Sequence, residues 1–560
     1  MSFSEEFKKL FPNFLPHQKK FFFFLTLFAG IAFLIPQADF QHFIAQGDHG
    51  RDLYCFKKTL SGALPYRDYS WVLGPLMPYY YALIFKIFGA TIQSAVLGQN
   101  LLVLACGMTL FGICSIFLSP AIACACALCY WAFRGAEFFY TYVHISGTFH
   151  LLLVIYFLFN YLARPRLFYV IAGTLALILL MLIRINIGLC ALLVFFGALT
   201  LADHFKQDPL RGGKRLVYFF LSLFISSLVF LIYATLLSPL PDYVTQQSLP
   251  YLKSHRTDIV FTFGEALRLF GRTLLSNFWG TLPRQMFSLL LLVTTWQAVR
   301  ELCKRKLPKE QKINLSLAMG SLWLLAVLNL HEFIASGIFY RLLWVLPAVT
   351  ILVFFILEIG TRSLPTKAIR ILLITVLFFV SFLTMVQYNL AIDQLKKSEY
   401  LFTYGKNRIY CLQEKDWKDV VVAASEYLKK NVPPDETFLA LPFEPLYYFL
   451  TEKDSPTRQL IFFEHINIPP QQEEEILADL KRNRTTYILF SNRGTVPIEA
   501  IKGVPGEVSI QAGIGIFGKD YGPLLYKYVE KNYHIVAIFG NWNQPAGWCN
   551  RHAAMILKKN

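Results

Sequence analysis

QGDHGRDLYCFKKTLSGALPYRDYSWVLGPLMPYYYALIFKIFG, residues 46–89, decides how the rest of the chain is read. It follows an apolar run at 21–37 that is long enough to cross a bilayer. Asp48 and Asp52 lie just past that run, with His49 and Arg51 beside them. A Pro-Tyr-Arg-Asp turn at 65–68 and a Gly-Pro-Leu at 74–76 follow. The second half, 75–89, is apolar but short for a span, and Lys86 interrupts it. It reads as an amphipathic helix at the outer interface, with Tyr79, Tyr80 and Tyr81 at headgroup level. A cluster of charges thus stands at the mouth of the first span.

Composition fixes the class. Of 560 residues, 55% are apolar and 16% aromatic, and only 16% are charged. A soluble chain carries about 25% charged residues. Runs near twenty apolar residues recur. They are placed at 21–37, 92–117, 119–137, 145–163, 167–183, 187–203, 216–236, 283–299, 313–330, 340–360 and 369–389, about eleven spans. The net charge is +17, but the residues after about 393 are nearly neutral. The basic excess therefore belongs to the membrane part, where it marks topology and does not point to a nucleic-acid partner. Lysines and arginines cluster before the first run, at 164–166, 206–215, 300–312 and 362–370. With an odd span count these all fall on the N-terminal side, which is the positive-inside pattern. The chain is expected to be a multi-pass protein of the cell (inner) membrane, with a cytoplasmic N-terminus and an extracytoplasmic C-terminal domain. The first run has no small-residue cleavage site after it and reads as an uncleaved anchor. Two domains follow: 1–390 in the membrane, with its first outer loop at 38–91, and 391–560 outside.

The outer domain alternates strand-like and helical patterns. Strands are expected at 437–442, 485–491, 534–540 and 553–558, and helices at 416–431, 471–481 and 521–532. That alternation reads as a small α/β domain. It has no nucleophile elbow, zinc spacing or phosphate loop. The Gly-Ile-Gly-Ile-Phe-Gly at 513–518 matches a dinucleotide fingerprint only superficially, because no strong strand precedes it. Cys124, Cys126 and Cys129 fall in an apolar helix without a nearby histidine, so packing explains them better than a metal. Cys411 and Cys549 are either a disulfide, if the compartment is oxidising, or two free thiols.

Ionisable groups at membrane level mark function. The outer side gathers Asp48, His49, Arg51, Asp52, Lys57, Lys58, Arg67 and Asp68 from the first loop. Arg134, Glu137, Tyr140, Tyr142 and His144 come from the outer end of the third span and the turn after it, and Arg184 and Asn186 from a tight apolar turn. Five basic residues lie between 253 and 284, and His331, Glu332, Tyr340 and Arg341 precede the tenth span. Arginines hold a lipid phosphate through charge-assisted forks, and a carboxylate takes a proton from a nucleophile. Bland readings stand beside these. Asp48 could cap the next helix, Arg51 and Asp52 could pair with neighbours, and Arg184 and Arg341 could reach headgroups. Tyr66 and Tyr79–Tyr81 could form an aromatic belt.

The order GDHGRDLY, LSGALPYRD and GPLMPYYYALIFKIFGA resembles the first outer loop of the GT-C membrane glycosyltransferases. It is nearest their protein mannosyltransferase-like and aminoarabinose transferase-like branch. LIRINIG at 182–188 and FYRLLWVLP at 339–347 resemble two further motifs of the same membrane domain. The resemblance implies a GT-C fold of about eleven spans with an extracytoplasmic α/β domain. It implies transfer of a sugar from a polyprenyl-phosphate carrier to a lipid, glycan or protein acceptor, with inversion. It assigns Asp48 as base and Arg184, Arg341 and Arg67 to the donor phosphate. His49, Asp52, Asp68, Glu137 and Tyr340 are further pocket candidates. The family's second acidic position is His49 here. No cofactor is required on this reading, and a divalent metal on Asp48 and His49 stays open. Two other classes stay open as well: a non-catalytic protein that binds a lipid-linked sugar, and a lipid-carrier flippase or transporter. The latter usually shows repeats and broken helices, which the sequence lacks.

Overall fold

A computed structural model describes residues 16–133, 142–205, 213, 216–225, 227–228, 309–336, 339–362, 367–462, 468–493, 517–544 and 551–560. The chain divides into two compact units. Among the described residues, the first runs to Gln37 and resumes from Gln99 to Ala391; the second takes Ala38–Gly98 and Ile392–Asn560.

The first unit is helical. Six of its described helices are long and apolar enough to cross a membrane: His17–Gln37, Ile92–Phe117, His144–Ala163, Ile185–Ala202, Ile313–Leu330 and Ile374–Leu395. Shorter apolar helices at Pro120–Ala132, Leu167–Met181, Leu216–Ile225 and Leu346–Glu358 fall on four more of the expected spans. The span expected at 283–299 lies outside the described residues. Helices suit this environment because each satisfies its own backbone. Phe21, Phe24 and Phe28 of the first helix face outward. Small residues let the helices approach. A Cβ on Gly107 would lie 2.2 Å from the ring of Trp131, whose indole N–H donates to the Val103 carbonyl. Cys124 and Cys126 on the helix of Trp131 are buried, as the packing reading expects. Among the described residues no three ligands gather to hold a metal.

The second unit carries two sheets. Strand β1 (Phe40–Gln41) pairs in parallel with β3 (Asn407–Cys411), which pairs antiparallel with β2 (Leu401–Tyr404). The second sheet has the order β4-β5-β7-β6, from Phe438–Leu441, Tyr487–Ser491, Ala554–Lys559 and Tyr533–Phe539. Only β4 and β5 are parallel. Leu439, Leu441, Ile488, Phe490, Met555 and Leu557 form its buried core with Ile476 and Leu480 of helix Pro470–Arg482. All four expected strands and all three expected helices of this domain are present within a few residues. The β2–β3 hairpin and β1 were not anticipated. Cys411 lies buried in β3, and Cys549 lies outside the described residues.

The first outer loop folds as two helices, Asp48–Leu60 and Leu76–Phe88. The first is bound to the C-terminal part of the chain. A Cβ on Gly50 would lie 2.3 Å from the Leu446 amide nitrogen, and one on Gly47 2.3 Å from the Phe443 ring. The Leu446 amide donates to the Gln46 carbonyl, and the Ser455 amide to the Tyr54 hydroxyl. Lys58 pairs with Asp454 at 3.0 Å. Loop and C-terminal domain are therefore one body, whereas the division drawn on the sequence left 38–91 with the spans. The aromatic-belt reading also changes. Tyr81 is fully buried and stacks on Phe56 at 4.4 Å, and Tyr66 is buried too. Leu83, Ile87 and Phe88 are the exposed apolar residues of the second loop helix.

Candidate functional site

Two charged constellations stand out, one in each unit. In the second unit, Asp48 is the first residue of its helix. It does not cap it, because Gly47 holds that place and no side chain caps. Asp48 Oδ1 instead accepts from Arg51 NH1 at 3.1 Å. Arg51 also donates from Nε and NH2 to Asp52 Oδ1, at 3.1 and 2.8 Å, and its guanidinium lies over Trp71. One turn of helix thus brings both carboxylates to one arginine. The expectation that Arg51 and Asp52 pair with neighbours holds.

Burial separates the two acids. Asp52 is fully buried and its Oδ2 has no hydrogen-bond partner among the described residues. Burial lifts it to about 6, against the pull of Arg51. Burial works against the Arg51 charge too, but Asp52 and Asp48 outweigh it and hold Arg51 above its ordinary value. Asp48 keeps 21% of its side-chain surface exposed. Of the two, only Asp48 can meet a substrate.

His49 is 1% exposed, and its Nδ1 accepts from the Ala45 amide. Burial brings it down to about 4, so it is neutral at physiological pH. The pair does not fit a shared divalent ion. The Asp48 oxygen faces a guanidinium, and because His49 Nδ1 accepts from a backbone amide, the neutral ring carries its proton on Nε2 and offers no free lone pair there. Arg67 and Asp68 form a two-bond fork with each other at 2.8 Å, while Asp68 also accepts from the Leu64 amide. Arg67 is half exposed, and the pair serves the turn at Tyr66, whose φ is +69°.

The first unit supplies the second constellation. Arg184 sits in the turn between helices Leu167–Met181 and Ile185–Phe205. Gly188 makes that turn tight, since a Cβ there would lie 2.9 Å from Met181 Cα. Arg341 comes from the 3₁₀ segment Phe339–Trp344. Both donate to one oxygen, Glu332 Oε2, Arg184 at 2.9 Å and Arg341 at 3.0 Å. Asn186 donates to the other oxygen, Oε1. Arg184 also lies over Trp344, whose ring occupies the space where a Cβ on Gly147 would stand. Glu332 is almost fully buried, and Arg184 and Arg341 keep only a small part of their side chains exposed.

The structure thus joins Arg184 to Arg341 and Asp48 to Asp52. Glu137 and most of the 513–518 glycine motif lie outside the described residues, as does the side chain of Tyr340. Glu332 was legible in the sequence only as one of the outer-side charges, and Trp344 not at all. A third group was missed entirely. Beneath the loop helix, Glu444 and Arg493 are both fully buried, and Glu444 accepts from Ser491 at 2.7 Å. Burial pushes Glu444 up to about 7. Nearby His552, bonded to the Tyr447 hydroxyl, is brought down to about 3 by burial and by Arg493.

No protein-family model matches the chain, and no curated protein does. Solved structures do resemble it. ArnT from Cupriavidus metallidurans in the apo state aligns with a TM-score of 0.53 and 12% identity, over 95% of this chain and 97% of ArnT. The same protein bound to undecaprenyl phosphate gives 0.48 and 12% over 96% and 97%. The Archaeoglobus fulgidus oligosaccharyltransferase in complex with zinc and sulfate gives 0.49 and 12% over 84% of this chain and 68% of its own. The apo ArnT alignment shows the fold alone: the chain shares the GT-C fold of ArnT, with a C-terminal sheet region.

Proposed function

We propose that this chain is a membrane glycosyltransferase that moves a sugar from a polyprenyl-phosphate carrier to an extracytoplasmic acceptor, with inversion. The observation that carries the reading is the convergence of Arg184 and Arg341, from separate elements, on one buried carboxylate in the membrane unit. Guanidiniums brought together at membrane level are the donors that hold an oxyanion through charge-assisted forks. A lipid-linked phosphate supplies that anion and a tail suited to the surroundings. ArnT, whose fold this chain shares, is itself known with undecaprenyl phosphate bound.

On this reading Asp48 accepts the acceptor's proton as the acceptor attacks the anomeric carbon. The bond from that carbon to the phosphate oxygen breaks, and the phosphate leaves with the electron pair. Charge grows on the phosphate as it departs, and fixed guanidiniums stabilise it there. Asp52, buried and bound to Arg51, holds the arginine that orients Asp48. Arg67 and Asp68 take no part, and no step runs through a metal.

The test is release of free polyprenyl phosphate from a lipid-linked sugar, which a flippase or a binding protein does not produce. A positioned base contributes about 10²–10⁴-fold. Asp48→Asn should lose turnover on that scale while keeping donor affinity. Near-normal turnover in Asp48→Asn would remove the first loop from the chemistry.

A further inference from the structure

Glu444 lies fully buried in the second unit, and a buried carboxylate is costly unless partners meet it. Its Oε1 accepts from the Ser491 hydroxyl at 2.7 Å and faces Arg493 Nε at 3.7 Å. Ser491 ends β5, Arg493 follows it by two residues, and Glu444 comes three residues after β4, the parallel neighbour of β5. The side chain therefore ties the segment that leaves β4 to the end of β5.

That segment, 443–446, meets the turn that carries Asp48. The Phe443 ring fills the space where a Cβ on Gly47 would stand, and Arg493 lies over the same ring, 5.9 Å from its centre. The Leu446 backbone packs on Gly50, and its amide donates to the Gln46 carbonyl at 3.2 Å. Asp48 lies in sequence between these two glycines. Whatever holds the segment therefore also sets where the Asp48 carboxylate stands. Phe443 and Leu446 make the contacts, and Glu444 between them supplies the anchor.

We propose that Glu444 is a positioning residue: through Ser491 and Arg493 its carboxylate holds the 443–446 segment where that segment fixes the Asp48 turn for proton transfer. This rests on the reading of Asp48 as the base given above. Glu444 touches no reacting atom and acts only through the turn.

The experiment uses the full chain in detergent. Turnover is read as undecaprenyl phosphate released from a panel of undecaprenyl-phosphate-linked hexoses and pentoses, and affinity as the Kd for undecaprenyl phosphate itself. Glu444→Ala should lose turnover about 10–100-fold, the scale of a misplacement near 1 Å. Its Kd should stay within about twofold of the native value. Ser491→Ala, a milder change, should lose roughly 2–10-fold in turnover, the fold-change of one hydrogen bond. The double variant should lose no more than Glu444→Ala, because both act through one contact. Hydrogen exchange reads the turn without chemistry. In Glu444→Ala the amides of 46–50 should lose protection roughly tenfold while those of β6 and β7 keep theirs. A proportional loss of turnover and affinity, an additive double variant, or a loss of protection shared with β6 and β7 would leave Glu444 a structural residue and overturn the proposal. Where Glu444→Ala does not fold, Ser491→Ala decides alone, by the same split between turnover and Kd. If the native chain releases no undecaprenyl phosphate from any member of the panel while exchange loosens the turn as stated, the transferase reading has failed and the proposal falls with it. If the native chain releases it and the 46–50 amides are unmoved in Glu444→Ala, the transferase reading stands and the positioning role falls.

Discussion

At the scale of single residues, the two constellations differ in how much of each is reachable. Arg184 and Arg341 each make charge-assisted bonds, which contribute about 1.5–3 kcal/mol apiece. Arg184→Ala or Arg341→Ala should therefore weaken donor affinity roughly 10–100-fold, read as a dissociation constant for a prenyl phosphate. Asp52 yields a different signature. Its folded value of about 6 lies above the 3.8 of an exposed aspartate, so the folded protein holds its proton more tightly than the unfolded chain. That contribution to stability is full below about pH 4 and is lost as pH rises through about 6. The neutral, buried His49 works oppositely, losing stability as pH falls from 6.5 toward about 4. Subtracting the parent isolates the aspartate. Melting of Asp52→Asn in detergent should gain on the parent between pH 4 and pH 6, and a constant difference across that window would contradict the assignment. Asp48, Arg184 and Arg341 were legible because charges are rare at membrane level and each sat at the end of an apolar run. Glu332 was not singled out, because its meaning comes from three partners brought in by the fold, two of them about 150 positions away in sequence.

At the scale of elements, helix Asp48–Leu60 depends on two glycines at i and i+3 spacing. Gly47 and Gly50 give its first turn a bare face that meets Phe443 and the Leu446 backbone. A backbone neighbour cannot swing aside, unlike a side chain, so Gly50→Ala should destabilise the second unit by about 1–3 kcal/mol, the usual cost of overpacking. Turnover should fall with it, because Asp48 rides on that turn. An unchanged melting temperature would show that the contact is not needed. The sequence carries this Gly-x-x-Gly, yet nothing local says which distant segment covers it. The strands of the C-terminal domain were readable for the opposite reason. Each is a short apolar run bounded by turn residues, so its length and its flanks mark it. The two-residue β1 is too short to carry any period, and it exists only through its pairing with β3.

At the scale of the whole molecule, the six long helices and four shorter ones match ten of the eleven spans expected from hydropathy, and the basic clusters predict which ends are cytoplasmic. Lys406 lies exposed in the β2–β3 turn. Lys406→Cys should therefore react with a membrane-impermeant maleimide on spheroplasts, and Lys206→Cys should stay protected. The reverse pattern would invert the topology. The pairing of β1 with β3 has a bearing on biogenesis. Phe40 and Gln41 leave the ribosome early but find Tyr410 and Cys411 only after some 370 further residues are made. The Leu446 amide that meets Gln46 comes later still. Domains generally settle as they are synthesised, N-terminal part first, but this body cannot. The emerging loop waits, incomplete, while span after span is threaded. The turn that carries Asp48 acquires its final surroundings only when the last third of the polypeptide has been made. A chain that stalls before residue 446 would be left in the bilayer with the Asp48 turn uncovered, so the length translated acts as the safety catch on that turn.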